Sequence, residues 1–164
     1  MVSILAKTSV LDDSDAIKKV DKSNMLSFCV EAAKHYGTAS KLADKLEVDF
    51  PRPKSVVIGG MGGSAIGGDL LKDWARSTVP VSVEVCRAYD LPAYANPETL
   101  VLVTSYSGET EEALNVFLDA VKRQCMIVCI SSGGVLQKYA DKLGIPHLLV
   151  PSGMAPRATL PYLF

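Results

Sequence analysis

The chain has 164 residues, which at about 150 residues per domain makes one domain or one half of a larger protein. Seventeen Lys and Arg against eighteen Asp and Glu leave a net charge of −1, without the basic excess or stripe of a dedicated nucleic-acid binder. With 48% hydrophobic and 21% charged residues, the composition excludes the disordered class and supplies apolar material for a sizeable core.

The N-terminal MVSILAKTSVLDD shows no sustained apolar stretch and no small-residue cleavage pattern, so it is not read as a signal peptide. No run approaches the ~18 apolar residues of a membrane-spanning helix. Residues 1–50 read as a helical segment. Asp12-Asp13-Ser14 offers an N-cap and early negative charge for a first helix. Ser23 or Asn24 starts a second, with Met25, Phe28, Cys29 and Ala32 on one side. Gly37 is expected to break it, and Thr38 or Ser40 to lead into a third stretch with Leu42 and Leu46. These helices look like a cover for a core elsewhere, and His35 is read as exposed or capping.

From residue 51 onward the pattern alternates strand and helix. Ser55–Gly60 (SVVIGG) is an apolar run stopped by glycines, as a buried parallel strand should be. A helix follows over Ser64–Trp74, then strands at Val81–Val85 and Leu100–Thr104. A helix from about Glu109 to Arg123, a strand at Met126–Ile130, a helix over Val135–Leu143 closed by Gly144, and a strand at His147–Val150 complete the series. Such alternation predicts an α/β fold: a doubly wound, five-stranded parallel sheet flanked by helices, with right-handed crossovers. Residues 155–164 end in Leu160, Tyr162, Leu163 and Phe164. That apolar run is expected to dock on a core or partner, or to belong to a longer protein.

Four cysteines include no CxxC pair, and there are two histidines. Cys125 and Cys129 flank an apolar run and are read as small buried hydrophobes rather than metal ligands. Neither a metal site nor a membrane partner is expected, and the chain reads as soluble and cytoplasmic.

Three loops follow strands and carry candidate chemistry. The first is Gly59-Gly60-Met61-Gly62-Gly63-Ser64-Ala65-Ile66-Gly67-Gly68-Asp69. Its glycines permit close approach of a ligand, and the following helix N-terminus favours an anion. No lysine makes it a triphosphatase phosphate loop. Gly62, Gly63 and Ser64 are the candidate ligand contacts; Gly67 and Gly68 read as close helix–sheet packing. Gly60–Ala65 also satisfies GxGxxA, with Glu84 about twenty residues on, a weak dinucleotide fingerprint.

The second loop, Thr104-Ser105-Tyr106-Ser107-Gly108-Glu109-Thr110, has more hydroxyl groups than capping requires. Ser105, Ser107 and Thr110 are placed to converge on a phosphate. Glu109, Glu111 and Glu112 complement the helix dipole. The third segment, Pro151-Ser152-Gly153-Met154-Ala155-Pro156-Arg157, should rise at the same end of the sheet and bring one fixed positive charge, Arg157.

The segments GGMGGSAIGGD, SYSGETEE and PSGMAPRA, in this order, resemble the bifunctional phosphoglucose/phosphomannose isomerases of the sugar isomerase (SIS) superfamily over roughly residues 55–164. The resemblance implies interconversion of glucose 6-phosphate or mannose 6-phosphate with fructose 6-phosphate through an enediol, without metal or nucleotide cofactor. It implies that Ser105, Ser107 and Thr110 hold the phosphate, that Gly62, Gly63 and Ser64 border the sugar, and that Arg157 is catalytic at the reacting end. It further implies homodimers with sites near the subunit interface, a length about twice this one, and a catalytic glutamate and histidine in a second half. This sequence has no counterpart of either; His147 matches no such position and reads as a satisfied buried histidine. The chain is therefore expected to be the phosphosugar-binding N-terminal half, turning over little by itself. Two alternatives stand beside this: a non-catalytic phosphosugar-binding module, and a dinucleotide-binding domain.

Overall fold

The computed structural model describes residues 10–164. The absence of a leader was read partly from residues 1–9, which lie outside the described residues.

Five strands form one sheet: β1 (Ser55–Gly59), β2 (Ser82–Cys86), β3 (Thr99–Thr104), β4 (Met126–Ser131) and β5 (His147–Leu149). All neighbours pair in parallel, in the order β2-β1-β3-β4-β5. The connecting helices are α4 (Gly63–Thr78) after β1, α5 (Glu111–Lys122) after β3 and α6 (Gly134–Leu143) after β4. Because β1 connects outward to β2 while β3 connects the other way through β4 to β5, right-handed crossovers place α4 on one face and α5 and α6 on the other. Two adjacent β1 residues report this directly. A Cβ on Gly68 of α4 would meet Ile58, whereas a Cβ on Gly59 would meet Val116 of α5, as side chains alternating across a strand require. The α5/α6 face holds the main core, in which Val57, Val101, Val103, Phe117, Cys129 and Leu136 are inaccessible to solvent. Burying each of these larger side chains contributes about 1.5–3 kcal/mol.

The α4 face is covered by the termini. Helix α3 (Ala32–Ala43) and the short α7 (Leu160–Leu163) pack there, and Pro161, Tyr162 and Leu163 are buried. The apolar C-terminal run thus docks on the chain's own α3 and α4, with Phe164 left 57% exposed. His35, read from sequence as exposed or capping, is half-buried: its Nδ1 lies 2.9 Å from the Tyr162 hydroxyl, and its ring stacks on Phe28.

The first fifty residues depart from expectation in two further places. Helix α1 (Ser14–Val20) is capped as foreseen by Asp13, whose carboxylate accepts from Asp15 N and Ala16 N. Helix α2 (Met25–Val30), however, is not capped by Ser23 or by the Asn24 side chain; the Asp21 carboxylate accepts from Met25 N and Leu26 N at 2.7 and 2.8 Å. Gly37 does not break a helix. The break falls at Glu31, between α2 and α3, and α3 runs through Gly37, since a single glycine costs only about 1 kcal/mol relative to alanine in a helix interior.

The other boundaries shift by small steps. Helix α4 extends four residues beyond the expected Trp74, and α5 starts at Glu111 rather than Glu109. Cys129 is fully buried, and its thiol is pushed up to about 12 by burial. Cys125 is half-buried against the core and its thiol is raised for the same reason. No helix is long and apolar enough to cross a membrane, and no group of three or more His, Cys, Asp or Glu converges as a metal cluster among the described residues.

Candidate functional site

In an open parallel sheet, ligands bind beyond the carboxyl ends of the strands where the winding direction reverses. Here that point lies between β1 and β3, whose ends are adjacent through the pairing of Gly59 with Val103. The first two sequence-predicted loops leave the sheet there, side by side. They are cross-linked by short polar contacts. Thr104 Oγ1, buried at the end of β3, lies within hydrogen-bonding distance of the carbonyls of Gly59 (3.1 Å) and Ser64 (3.0 Å). Ser64 Oγ accepts from Tyr106 N at 3.2 Å. A side chain on Gly60 would strike Thr104 Oγ1 at 2.4 Å, so only glycine lets the loops approach this closely.

The predicted residues fall into distinct roles. Gly62 adopts φ +51° and precedes α4, with open space where a Cβ would stand. Gly63 lies against the carbonyl of Pro156, 3.2 Å from where its Cβ would be. Ser105 is buried; its hydroxyl accepts from Gly108 N (3.1 Å) and donates to Thr110 Oγ1 (2.9 Å), so it organises the loop from within. Ser107 is exposed, and its Oγ accepts from Glu109 N at 3.2 Å. Arg157 sits in a 3-10 turn, Pro156–Ala158, that contacts α4. It is exposed and pairs with no described carboxylate.

Helix caps separate the loops further. Neither α4 nor α5 has a side chain on its first N–H groups: Gly62 has none to offer, and the Thr110 hydroxyl is turned to Ser105. Two helix N-termini therefore turn positive dipole ends toward the same reversal point; in α4 the Ser64 and Ala65 N–H groups bond to the carbonyls of Met61 and Gly62 at 3.0 and 3.2 Å, so the free donors are those at the start of α5. The N-terminus of α6 is different. Glu109 Oε1 accepts from Val135 N at 3.0 Å, so Glu109 complements the dipole of α6 and not, as expected, that of α5. Glu111 and Glu112 do lie in the first turn of α5.

Gly67 and Gly68 are packing residues, as expected, but against different partners. Gly68 meets Ile58 of the sheet, while a Cβ on Gly67 would stand 2.1 Å from the carbonyl oxygen of Leu163 in α7. Glu84 lies inside β2, paired with Val57, and accepts from the Tyr94 hydroxyl at 2.7 Å. Burial first, then this bond and the Glu84 charge, push the Tyr94 phenol up to about 12. A dinucleotide-binding acid belongs at the strand's end; the end of β2 instead carries Arg87, which pairs with Asp69. His147 is half-buried with Nε2 2.7 Å from Ser131 Oγ, and burial lowers its pKa.

Sequence reasoning missed two contributors. The Ser131-Ser132-Gly133-Gly134 loop after β4 repeats the strand–small-residue–helix pattern and packs on the second loop: a Cβ on Gly108 (φ +71°) would stand 1.9 Å from Gly133 O. Its serines and glycines were the available signal. The second is Tyr106, which bonds to three loops; nothing local marks it.

No family model matches the chain. It is 47% identical over 109 residues to a bifunctional phosphoglucose/phosphomannose isomerase of Caldicellulosiruptor bescii, covering 66% of this chain and 32% of that protein. It is 36% identical over 116 residues to a bifunctional phosphoglucose/phosphomannose isomerase of Aquifex aeolicus, covering 70% and 36%. The matches thus span about a third of these relatives. In structure it resembles a phosphoheptose isomerase of Francisella tularensis, with a TM-score of 0.53 at 17% identity over 90% of this chain and 85% of that one. Over its matched two thirds, the chain is similar in sequence to the bifunctional phosphoglucose/phosphomannose isomerases, and its parallel α/β sheet shares the fold of that phosphoheptose isomerase.

Proposed function

We propose that the chain binds a phosphorylated hexose at the reversal point between β1 and β3, as the phosphosugar-binding half of an aldose–ketose isomerase acting on glucose 6-phosphate or mannose 6-phosphate and fructose 6-phosphate. The observation that carries this reading is the pair of helix N-termini without side-chain caps, α4 and α5, beside a hydroxyl-rich loop and an arginine that pairs with no carboxylate among the described residues. The phosphate dianion takes the N–H groups at the start of α5 with the hydroxyls of Ser107 and Thr110, while Ser105 holds Thr110 in place. Gly62, Gly63 and Ser64 border the sugar. Arg157, charged at any working pH, faces the oxyanion that develops as a proton passes between C1 and C2 through an enediolate. That transfer needs an acid and a base. None of the three loops supplies a histidine, and the one loop carboxylate of the second, Glu109, is engaged at α6. As the resemblance implies, a second half of the protein or a second subunit completes the chemistry, in a cytoplasmic homodimer.

Calorimetric titration of the folded chain with fructose 6-phosphate, with free fructose and NAD as controls, tests the reading. Saturable binding that requires the phosphate is expected. A flat fructose 6-phosphate trace beside a clear NAD isotherm would overturn it in favour of the dinucleotide alternative.

A further inference from the structure

Tyr106, in the loop after β3, bonds to the loops that follow β1, β4 and β5. Its N–H donates to Ser64 Oγ in the loop after β1. Its carbonyl accepts from Ser132 N (2.8 Å) and Ser132 Oγ (2.7 Å) in the loop after β4. Its hydroxyl accepts from Met154 N at 2.8 Å and donates to Pro151 O at 3.1 Å in the segment after β5. The first three bonds use the backbone and would survive most substitutions. The last two require a phenol, and no other hydrogen bond holds residues 151–154 among the described residues. Three residues beyond Met154 stands Arg157.

We propose that Tyr106 is a positioning residue: its hydroxyl fixes the 151–157 segment, and with it Arg157, in register with the Ser105–Thr110 loop that contains Tyr106 itself. This rests on the phosphosugar reading above. A hexose 6-phosphate carries its phosphate and its reacting carbons at opposite ends. A site for it must hold an anion cradle and a cation at a set separation, and a tether from one to the other sets that separation. Removing the hydroxyl should therefore spare recognition of the phosphate and weaken recognition of the sugar end.

The test is Tyr106→Phe in the 164-residue chain, which keeps the ring, alone and combined with Arg157→Ala. Binding of fructose 6-phosphate and of inorganic phosphate is measured by titration, with thermal unfolding to confirm the fold and amide hydrogen exchange at Met154 to report the tether. Losing the two bonds should weaken fructose 6-phosphate about three- to tenfold, leave inorganic phosphate within about twofold, and speed Met154 exchange. Arg157→Ala should cost less in the Tyr106→Phe background than in wild type, because residues that act through one another are not additive. Equal weakening of both ligands, full additivity, or unchanged fructose 6-phosphate binding in the folded variant overturns the proposal. If wild type binds no fructose 6-phosphate, the phosphosugar reading itself fails; Met154 exchange then decides the tether, and an unchanged rate overturns it.

Discussion

Two glycines inside helices should respond to alanine with opposite signs. In both, alanine gains about 1 kcal/mol of helix propensity by restricting the unfolded chain. At Gly37 in α3 nothing lies within 4 Å of the added Cβ, so Gly37→Ala should stabilise by about 0.5–1 kcal/mol. At Gly67 in α4 the Cβ would stand 2.1 Å from Leu163 O and 2.7 Å from Leu163 C. Both are backbone atoms, so no rotamer change relieves the contact, and α7 must withdraw by well over an ångström. Tyr162 and Leu163, 5% and 3% exposed, would lose packing in proportion. Losing half of two burials of about 1.5–3 kcal/mol each costs about 1.5–3 kcal/mol, which exceeds the propensity gain. Gly67→Ala should therefore destabilise by about 0.5–2 kcal/mol net, read by urea unfolding at unchanged slope. In thermal unfolding the two variants should straddle wild type, at about 2–4 °C per kcal/mol for a chain of this size. A Gly67→Ala variant as stable as wild type would refute the packing assigned to α7.

Two other predictions concern titration and binding. Burial holds the His147 pKa below 6.5, against a smaller opposing effect of Asp141, so the folded state takes up its proton later than the unfolded state. Stability contributed by neutral His147 is complete above about pH 6.5 and is lost as pH falls through that value toward the folded pKa. His147→Gln should flatten this part of a stability–pH profile between pH 7.5 and 5; an unchanged slope would assign it to another group. Ser107→Ala should weaken fructose 6-phosphate binding by about 1–2 kcal/mol, the scale of a hydrogen bond to a charged group; titration of the folded variant with wild-type affinity would remove Ser107 from the site.

The sheet was legible because β1, β3 and β4 are short apolar runs ended by glycine or hydroxyl residues, β2 alternates Val with polar residues and β5 is an apolar run stopped by proline, and all five were found within a residue or two. The site loops were legible for a related reason: Gly62–Ser64 and Ser105–Thr110 combine glycines and hydroxyls where strands turn into helices, and the topology brings both to the β1/β3 reversal. What escaped was set by distance. Gly37 signals a break locally, yet α3 passes through it. Glu109 looks like a first-turn acid of α5, but its carboxylate reaches a helix 26 residues on. Ser105 and Ser107 look alike in sequence; the fold buries one and exposes the other, giving the first a structural bond to Thr110. The role of Tyr106 depends on partners at positions 64, 132, 151 and 154, none of which a local pattern contains.

The central claim is the location of the ligand, and amide chemical-shift mapping of the 17.5 kDa chain during addition of fructose 6-phosphate tests it most directly. The account predicts saturable shifts clustered at Gly62, Gly63, Ser64, Ser107, Thr110 and Arg157. It is contradicted if the shifts fall instead on the groove between α1 and α2 lined by Ile17, Asp21, Leu26 and Val30, or on the β2 edge around Glu84 and Tyr94.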